Sequence, residues 1–452
     1  MNTSEKNQDI QKNEGLTRRG FLRNDVVYII IGFFLFSMMP FSLYADVEAP
    51  KRAKAVIEIW LWGGPSQLES FDPKPKATAE YNNGKKAIKT NVAGMEISEY
   101  MPKLAKMADK YSIIRTMTHG INGHETATYM MQTGRKAGGR LVYPAIGAVV
   151  GMMKGYDYGY KGQIPPYVLL TRAKGRFSEI GFLPHRYMPF VTGGNPAKTP
   201  FTVDGIVVKG LTKKRQAQRR ELLSKLDTIG KTLPGNKDLK KFDADEKEAY
   251  NLVLGDAGKV FDLSQESKET RERYGMNSLG QSCLQARRLI EAGVVYVTIN
   301  AQGWDTHKRH FQEMARMMPE LDQGLSALLT DLDKRGLLDS TIVWCGGEFG
   351  RTPKVQTKAP WNGGRSHYGK CFSMLVAGGG FKGGKVVGVS DENAANVVKR
   401  PVAPVDFFAS MYDLLGIDPE GKMPNSGGNN IKIMPEAKNK LTELYKVPGA
   451  KK

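Results

Sequence analysis

Four apolar runs of strand length each lead into a glycine-bearing turn that carries histidine or a carboxylate. They lie at 55–62 (AVIEIWLW), 112–117 (SIIRTM), 294–300 (VVYVTIN) and 341–345 (TIVWC). The first is nearly continuous in apolar residues and ends at Gly63-Gly64, which predicts a strand buried on both faces. Stretches of helical character separate the runs. Alternation of this kind predicts an α/β fold, a mostly parallel central sheet with helices on both faces. In such sheets the site lies beyond the carboxyl ends of the strands. The turns after these runs are therefore expected to converge on one site.

The remaining pattern fills in that fold. Helices are expected at 101–111, 124–133, 144–153, 278–292, 312–334 and 404–415, with Gly134 as a C-cap, and further strands at 167–171 and 373–377. The Lys- and Glu-rich stretch at about 211–273 reads as a solvated helical insert, with runs at 213–225 and 243–254. One α/β domain is expected over 46–440, with a basic tail at 441–452. With 40% apolar residues and 50 glycines, the chain is globular and rich in turns, not disordered. Its net charge of +20 suits anionic partners such as phosphate or sulfate esters, acidic polysaccharide, nucleic acid or a membrane surface. A merely soluble basic surface gives the same number. Helix-turn-helix, zinc-finger and RNP motifs are absent, so no nucleic-acid partner is expected. Oligomeric state cannot be read from the sequence.

Residues 1–45 have the layout of a targeting segment. Arg18-Arg19 followed by Phe21-Leu22, an apolar stretch at 26–43 and Ala45 make a twin-arginine export signal. An uncleaved anchor is the alternative, and either places the body in the periplasm or at the cell surface. Membrane contact is expected of this segment alone. Cys283, Cys345 and Cys371 form no disulfide framework and no CxxC pair; Cys345 and Cys371 fall on or at the start of apolar strands and are expected to be buried structural thiols.

Five of the six histidines and all five tryptophans sit in or beside four motifs: 60–75, 118–135, 303–310 and 344–369. Asp305 and His307 follow a strand at a spacing that lets both enter one pocket. Carboxylate with imidazole suits a divalent transition metal, Zn, Mn or Fe, better than Ca. The bland reading is a helix-capping Asp beside a hydrogen-bonded His. His310 either joins the pair or starts the next helix. Glu348, after a buried strand, needs a partner, either a metal or Arg351. His367 is a further candidate ligand. Arg351 and Arg365 could hold an anionic ester through bidentate hydrogen bonds, or serve as structural ion pairs. His119 and His124 flank a glycine turn, and the helix expected from His124 could receive an anion at its N-terminus. Thr126 and Thr128 in its first turn carry hydroxyls that either act in catalysis or cap. Ser66, Asp72 and Lys74 follow the first strand, and Asp72 before Pro73 either joins the site or initiates a turn. The stretch AGGGFKGGK at 377–385 lacks the GxxxxGK[ST] spacing and reads as a turn, and no GxSxG elbow occurs.

Together, GGPSQLESFDPKP, GHETATYMMQTGR, GWDTH, GGEFGRTP, GRSHYG and LVAGGGFKGGKVVGVSD resemble the bacterial domain-of-unknown-function 1501 family over nearly all of the chain after the signal. That family is placed with the sulfatases and alkaline phosphatases. The resemblance implies a sulfatase-like α/β fold and metal-dependent hydrolysis of sulfate or phosphate esters, on a polysaccharide for example. The local match departs from the sulfatases. HETATYMMQTGR is similar to the sulfatase stretch CxPSRxxLLTGR, but His124 stands where the nucleophile would be, and Thr126 and Thr128 replace its Pro and Arg. Formylglycine chemistry is therefore not expected. Glu348-Phe349-Gly350 resembles an Asp-His/Asn-Gly metal motif with one ligand lost. The resemblance leaves His124 as metal ligand, general acid/base or nucleophile. Metal ligands are expected at Asp305, His307, Glu348 and His367. Catalytic roles are expected at His124, Arg351, Arg365 and Thr126. The competing expectation is a non-catalytic protein that binds an anionic glycan or a partner on a degenerate hydrolase fold.

Overall fold

The four apolar runs at 55–62, 112–117, 294–300 and 341–345 each form a strand. The computed structural model describes residues 53–155, 158–173, 180–198, 201–203, 218, 221, 257–423, 431–434 and 436–446. The export signal, both helical runs expected in the insert (apart from residues 218 and 221) and the end of the basic tail lie outside the described residues.

In chain order the elements that matter are β1 (Ala55–Leu61), β2 (Tyr111–Met117), α1 (His124–Thr133), α2 (Ile146–Lys154), β3 (Tyr167–Leu170), β4 (Phe190–Val191) and α3 (Ser278–Glu291). There follow β5 (Tyr296–Ala301), α4 (His310–Lys334), β6 (Thr341–Gly346), β7 (Gly350–Arg351), β8 (His367–Tyr368), β9 (Phe372–Ala377), β10 (Val386–Val387) and α5 (Pro404–Leu415). Eight strands form the main sheet, in the order β10-β2-β9-β6-β1-β5-β3-β4. β1 runs parallel to β5, with Val56 opposite Tyr296, and to β6, with Ala55 opposite Thr341. β9 alone is reversed, antiparallel to both β2 and β6. The carboxyl ends of β1, β2, β5 and β6 therefore share an edge with the amino end of β9. The reversal brings the loop before β9, which carries His367, to the edge reached by the loops after the parallel strands.

All seven positions of β1 are buried, as an apolar run covered on both faces requires. Side chains alternate between two cores. Ile57, Ile59 and Leu61 pack with Cys283 and Leu284 of α3 and Leu325 and Leu328 of α4. Val56 and Trp60 pack with Val149 and Met152 of α2 and Phe407 and Met411 of α5. All three cysteines are free and buried. No helix of the described residues is long and apolar enough to cross a membrane.

Two expectations need correction. The helix expected at 101–111 is one turn, Pro102–Ala105, followed by a 3-10 turn, Ala108–Lys110. Asp322 of α4 caps it, accepting the Lys103 and Leu104 N–H groups at 3.0 and 2.7 Å, and the chain must then extend into β2. The long helix expected from 312 begins at His310, whose ring is wholly buried.

Candidate metal centre

The loops after β1, β5 and β6 meet where side chains would not fit. Gly63 has φ +110°, and a Cβ there would lie 2.2 Å from the Asp305 nitrogen. At Gly64, φ +80°, a Cβ would lie 2.5 Å from the Phe349 carbonyl oxygen. Glycine is required at both positions for this approach. The Gly63 N–H donates to both oxygens of the buried Glu348 carboxylate, at 3.0 and 3.1 Å. The motifs after β1 and β6 are thereby locked together.

Three imidazoles gather around Asp305. His124 Nε2 lies 3.3 Å from Asp305 Oδ2, while His307 Nε2 and His367 Nε2 lie 3.0 and 3.1 Å from Oδ1. The Nε2 atoms of His307 and His367 are 2.8 Å apart. One donor atom from each of His124, Asp305 and His367 lies within 4.8 Å of the others. Ligands about 2.0–2.2 Å from a shared ion stand roughly 3 Å from each other, so these separations suit one small cation. The nitrogens on the far side of two rings are held. His124 Nδ1 is 2.8 Å from Glu348 Oε1, and His367 Nδ1 is 2.8 Å from the Asn122 carbonyl oxygen. A ring whose Nδ1–H donates outward presents the Nε2 lone pair inward, the arrangement that fixes metal-ligating histidines.

Electrostatics follow from the packing. Burial would raise the Asp305 pKa, but hydrogen bonds from His124, His367 and Arg351 outweigh it and hold the carboxyl well below the usual range. In the metal-free chain His124 is pushed up to about 9, first by Asp305 and then by Glu348. Burial pushes His307 down to about 4, so its ring is neutral and one of its two nitrogens keeps a lone pair available. Trp62 stacks on His124 at a 5.2 Å centroid separation, Phe349 on His367 at 4.4 Å and Trp361 on His307 at 4.0 Å.

The other sequence candidates fall elsewhere. Glu348, expected as a ligand, is held by Gly63 and His124 and orients the His124 ring from behind. Arg351, expected to meet an anion, is fully buried. Its Nη2 donates to Asp305 Oδ1 at 2.7 Å and its Nε to the Gly64 carbonyl at 2.9 Å, so it braces the loops. Arg365 is turned away from the centre. It pairs with the buried Glu69 at 2.9 Å and donates to the carbonyls of Thr352 and Pro353, which leaves it unsuited to hold an ester. Thr126 is exposed, and its hydroxyl donates back to the Gly123 carbonyl at 3.2 Å. A hydroxyl in that geometry bonds back to the preceding turn of its own backbone and is not aimed at the cluster. His310 lies 3.0 Å from Glu69 and 2.7 Å from the Thr306 hydroxyl, outside the cluster. His119 donates from Nε2 to the Glu348 carbonyl at 2.7 Å, since its Nδ1 accepts the Ile121 N–H. Asp72 is buried against Lys74, Arg115 and Ser390. Of the tryptophans, Trp60 and Trp344 meet edge to face inside the core, and only Trp62 and Trp361 stack on the cluster's histidines.

Two residues that matter for this assembly have weak sequence signals. Glu69 lies in a motif but, unlike Asp305 and Glu348, does not directly follow a strand. Glu58 is the single acid in AVIEIWLW; an isolated carboxylate in a buried run is the one sign of it.

The fold is similar to that of several solved structures. A sulfatase from Pseudoalteromonas sp. (PsFucS1) matches at 12% identity over 82% of this chain and 69% of its own, with a TM-score of 0.35. A Bacteroides thetaiotaomicron protein from a study of glycosaminoglycan metabolism matches at 11% identity over 87% and 82%, with a TM-score of 0.41. TAB5 alkaline phosphatase, in a mutant form with Mg bound, matches at 12% identity over 82% and 99%, with a TM-score of 0.32. Likenesses this distant leave the chemistry to be read from the site itself. No curated protein matches the sequence. The family model described as "Protein of unknown function (DUF1501)" matches residues 53–444, and the chain belongs to that family.

Proposed function

We propose that the protein is an exported, metal-dependent hydrolase of sulfate or phosphate esters. The carrying observation is the convergence of three imidazole Nε2 atoms on the Asp305 carboxylate, with two rings oriented from behind by Glu348 and the Asn122 carbonyl. Three imidazoles and one carboxylate suit Zn, Mn or Fe. His124, Asp305, His307 and His367 would hold the ion. A bound divalent metal would supply Lewis acidity to the ester oxygen and to an attacking water. The chain's own groups prepare that centre. Arg351 fixes the Asp305 carboxylate, and Glu348 fixes His124. Trp62, Phe349 and Trp361 shield the imidazoles, which strengthens electrostatic interactions beside them. With Thr126 turned away, water is the nucleophile this reading requires. The basic balance of the chain favours an anionic substrate. The twin-arginine segment supports an extracytoplasmic location.

Protein purified without chelator is expected to carry about one metal per chain, and to hydrolyse an aryl sulfate or phosphate only while metal is bound. Less than roughly a tenth of a metal per chain with no hydrolysis would overturn the reading. Stoichiometric metal without turnover would favour the non-catalytic binding protein instead. Glu348→Gln keeps the shape but replaces one oxygen by an NH2 that cannot accept. It is expected to weaken metal affinity by about 10–100-fold, as losses of outer-sphere partners do. Competition with a chromophoric chelator measures this, and unchanged affinity would remove Glu348 from its orienting role.

A further inference from the structure

Behind the metal cluster a chain of buried polar side chains runs from one ligand-bearing segment to another. Thr306 stands between Asp305 and His307 in sequence, yet its hydroxyl meets His310 Nδ1, at 2.7 Å, and not the cluster. His310 Nε2 lies 3.0 Å from Glu69 Oε2, and the other Glu69 oxygen lies 2.9 Å from Arg365 Nη2. Arg365 stands two residues before His367. His310, Glu69 and Arg365 are wholly buried, and Thr306 is 4% exposed. Beside Arg365, Gly364 packs so closely on the His307 carbonyl that any side chain there would collide with it.

Electrostatics decide which way each hydrogen bond runs. Burial would raise the Glu69 pKa, but Arg365 and then His310 outweigh it and hold the carboxyl below the usual range. An ionised carboxylate only accepts, so His310 Nε2 carries the proton. Burial keeps the His310 ring neutral, which leaves Nδ1 bare to accept the Thr306 O–H. The Thr306 side chain is thereby held in one orientation. A buried ion pair adds little stability over apolar side chains of the same volume. What this one adds is register. Glu69 comes from the loop after β1, His310 heads α4, and Arg365 comes from the segment before β8. Together they grip the 305–307 turn from its buried side. The Thr306 N–H also donates to the Trp304 carbonyl at 2.8 Å, so the turn is tight, and a rotation at Thr306 would swing Asp305 and His307 together.

We propose that His310 is a positioning residue for the centre. Through the Thr306 hydroxyl it sets the direction in which Asp305 and His307 present their donor atoms to one small cation. This rests on the metal-binding part of the reading above and not on hydrolysis.

The test uses the full chain with Co2+ as the probe, since the visible spectrum of bound Co2+ reports the arrangement of its ligands. Thr306→Val keeps the branched shape and removes the hydroxyl; Thr306→Ser keeps the hydroxyl; His310→Gln breaks the chain at its middle. Thr306→Val and His310→Gln are expected to weaken Co2+ binding by about 10–100-fold and to alter the spectrum. Thr306→Ser should retain the parent's spectrum and bind within about threefold of it. If His310→Gln fails to fold, the contrast between Thr306→Val and Thr306→Ser carries the test. Parental affinity and spectrum in Thr306→Val and His310→Gln, with only a lower urea midpoint, would reduce the chain to a brace and overturn the proposal. Equal losses in Thr306→Ser and Thr306→Val would overturn it as well. A parent that binds no Co2+ would overturn it together with the metal-centre reading. Co2+ binding that depends on His310, in a chain that hydrolyses nothing, would uphold it and remove the catalytic reading alone.

Discussion

Asp305→Asn is expected to lose metal almost completely while keeping most of the fold. The carboxylate is the one group that all three imidazoles and the Arg351 guanidinium approach. An amide keeps an acceptor for Arg351 but removes the negative charge that would offset a divalent ion. The affinity loss should exceed the roughly hundredfold upper range for outer-sphere changes. Asp305→Ala goes further. It removes the side chain that pairs with the wholly buried Arg351; breaking a fully buried pair typically costs about 3–5 kcal/mol, and less is expected here because Asp305 itself is 30% exposed. Part of that is offset here, because Glu348 also acts on Arg351 and backbone carbonyls accept from its Nε and Nη2. Chelator competition for both variants, with urea unfolding monitored by tryptophan fluorescence, separates the two effects. Metal binding by Asp305→Asn within about threefold of the parent would move the centre away from this carboxylate.

The sheet and the meeting of the motifs were legible because both rest on local patterning. α1 has the bounds expected of it, with Gly134 left-handed at its C-cap, because a helix bounded by glycines on both sides leaves little latitude. β1, β2 and β6 fall within a residue of the apolar runs that announced them, since a strand buried on both faces has no other composition. Roles within the cluster were much less legible. Glu348 and Asp305 each follow a strand and a glycine turn, and nothing local shows that one points at the centre and the other behind His124. That distinction depends on which backbone N–H lies opposite, here Gly63, 285 positions earlier. Whether Arg365 meets an ester or a structural partner was left open by the sequence for the same reason. Its partner Glu69 comes from the loop after β1, and only the folded chain brings the two carboxylate oxygens between Arg365 and His310. The reversal of β9 carries His367 to the site, and no period or cap in the sequence encodes strand direction.

Glu58 supplies the second large effect, a pH dependence of stability that one substitution should remove. The side chain is fully buried in the middle of β1. Its Oε1 accepts from Gln132 Nε2 of α1 at 2.7 Å, and its Oε2 from the Tyr296 and Thr298 hydroxyls of β5 at 2.8 and 2.9 Å. Burial, only partly offset by those hydrogen bonds, pushes its pKa up to about 7 from 4.5. The folded chain thus keeps this proton across a range in which the unfolded chain has released it. The resulting stability is fully present below pH 4.5 and is lost as pH rises through about 7. The difference in proton affinity between the folded and unfolded chain corresponds to roughly 3 kcal/mol. Glu58→Gln keeps the shape and the neutral state, and the two hydroxyls can turn to accept from its NH2. The variant's stability relative to the parent should therefore rise by a few kcal/mol between pH 4.5 and 8, as measured by urea unfolding. A difference that stays flat with pH would show that this carboxyl is already ionised in the fold. The joint matters for function because each element it ties carries part of the centre. α1 begins at His124, β5 leads to Asp305, and β1 ends at the Gly63 N–H that holds Glu348. Ionising Glu58 should therefore loosen the metal site from below, and metal affinity measured near pH 8.5 should be higher in Glu58→Gln than in the parent.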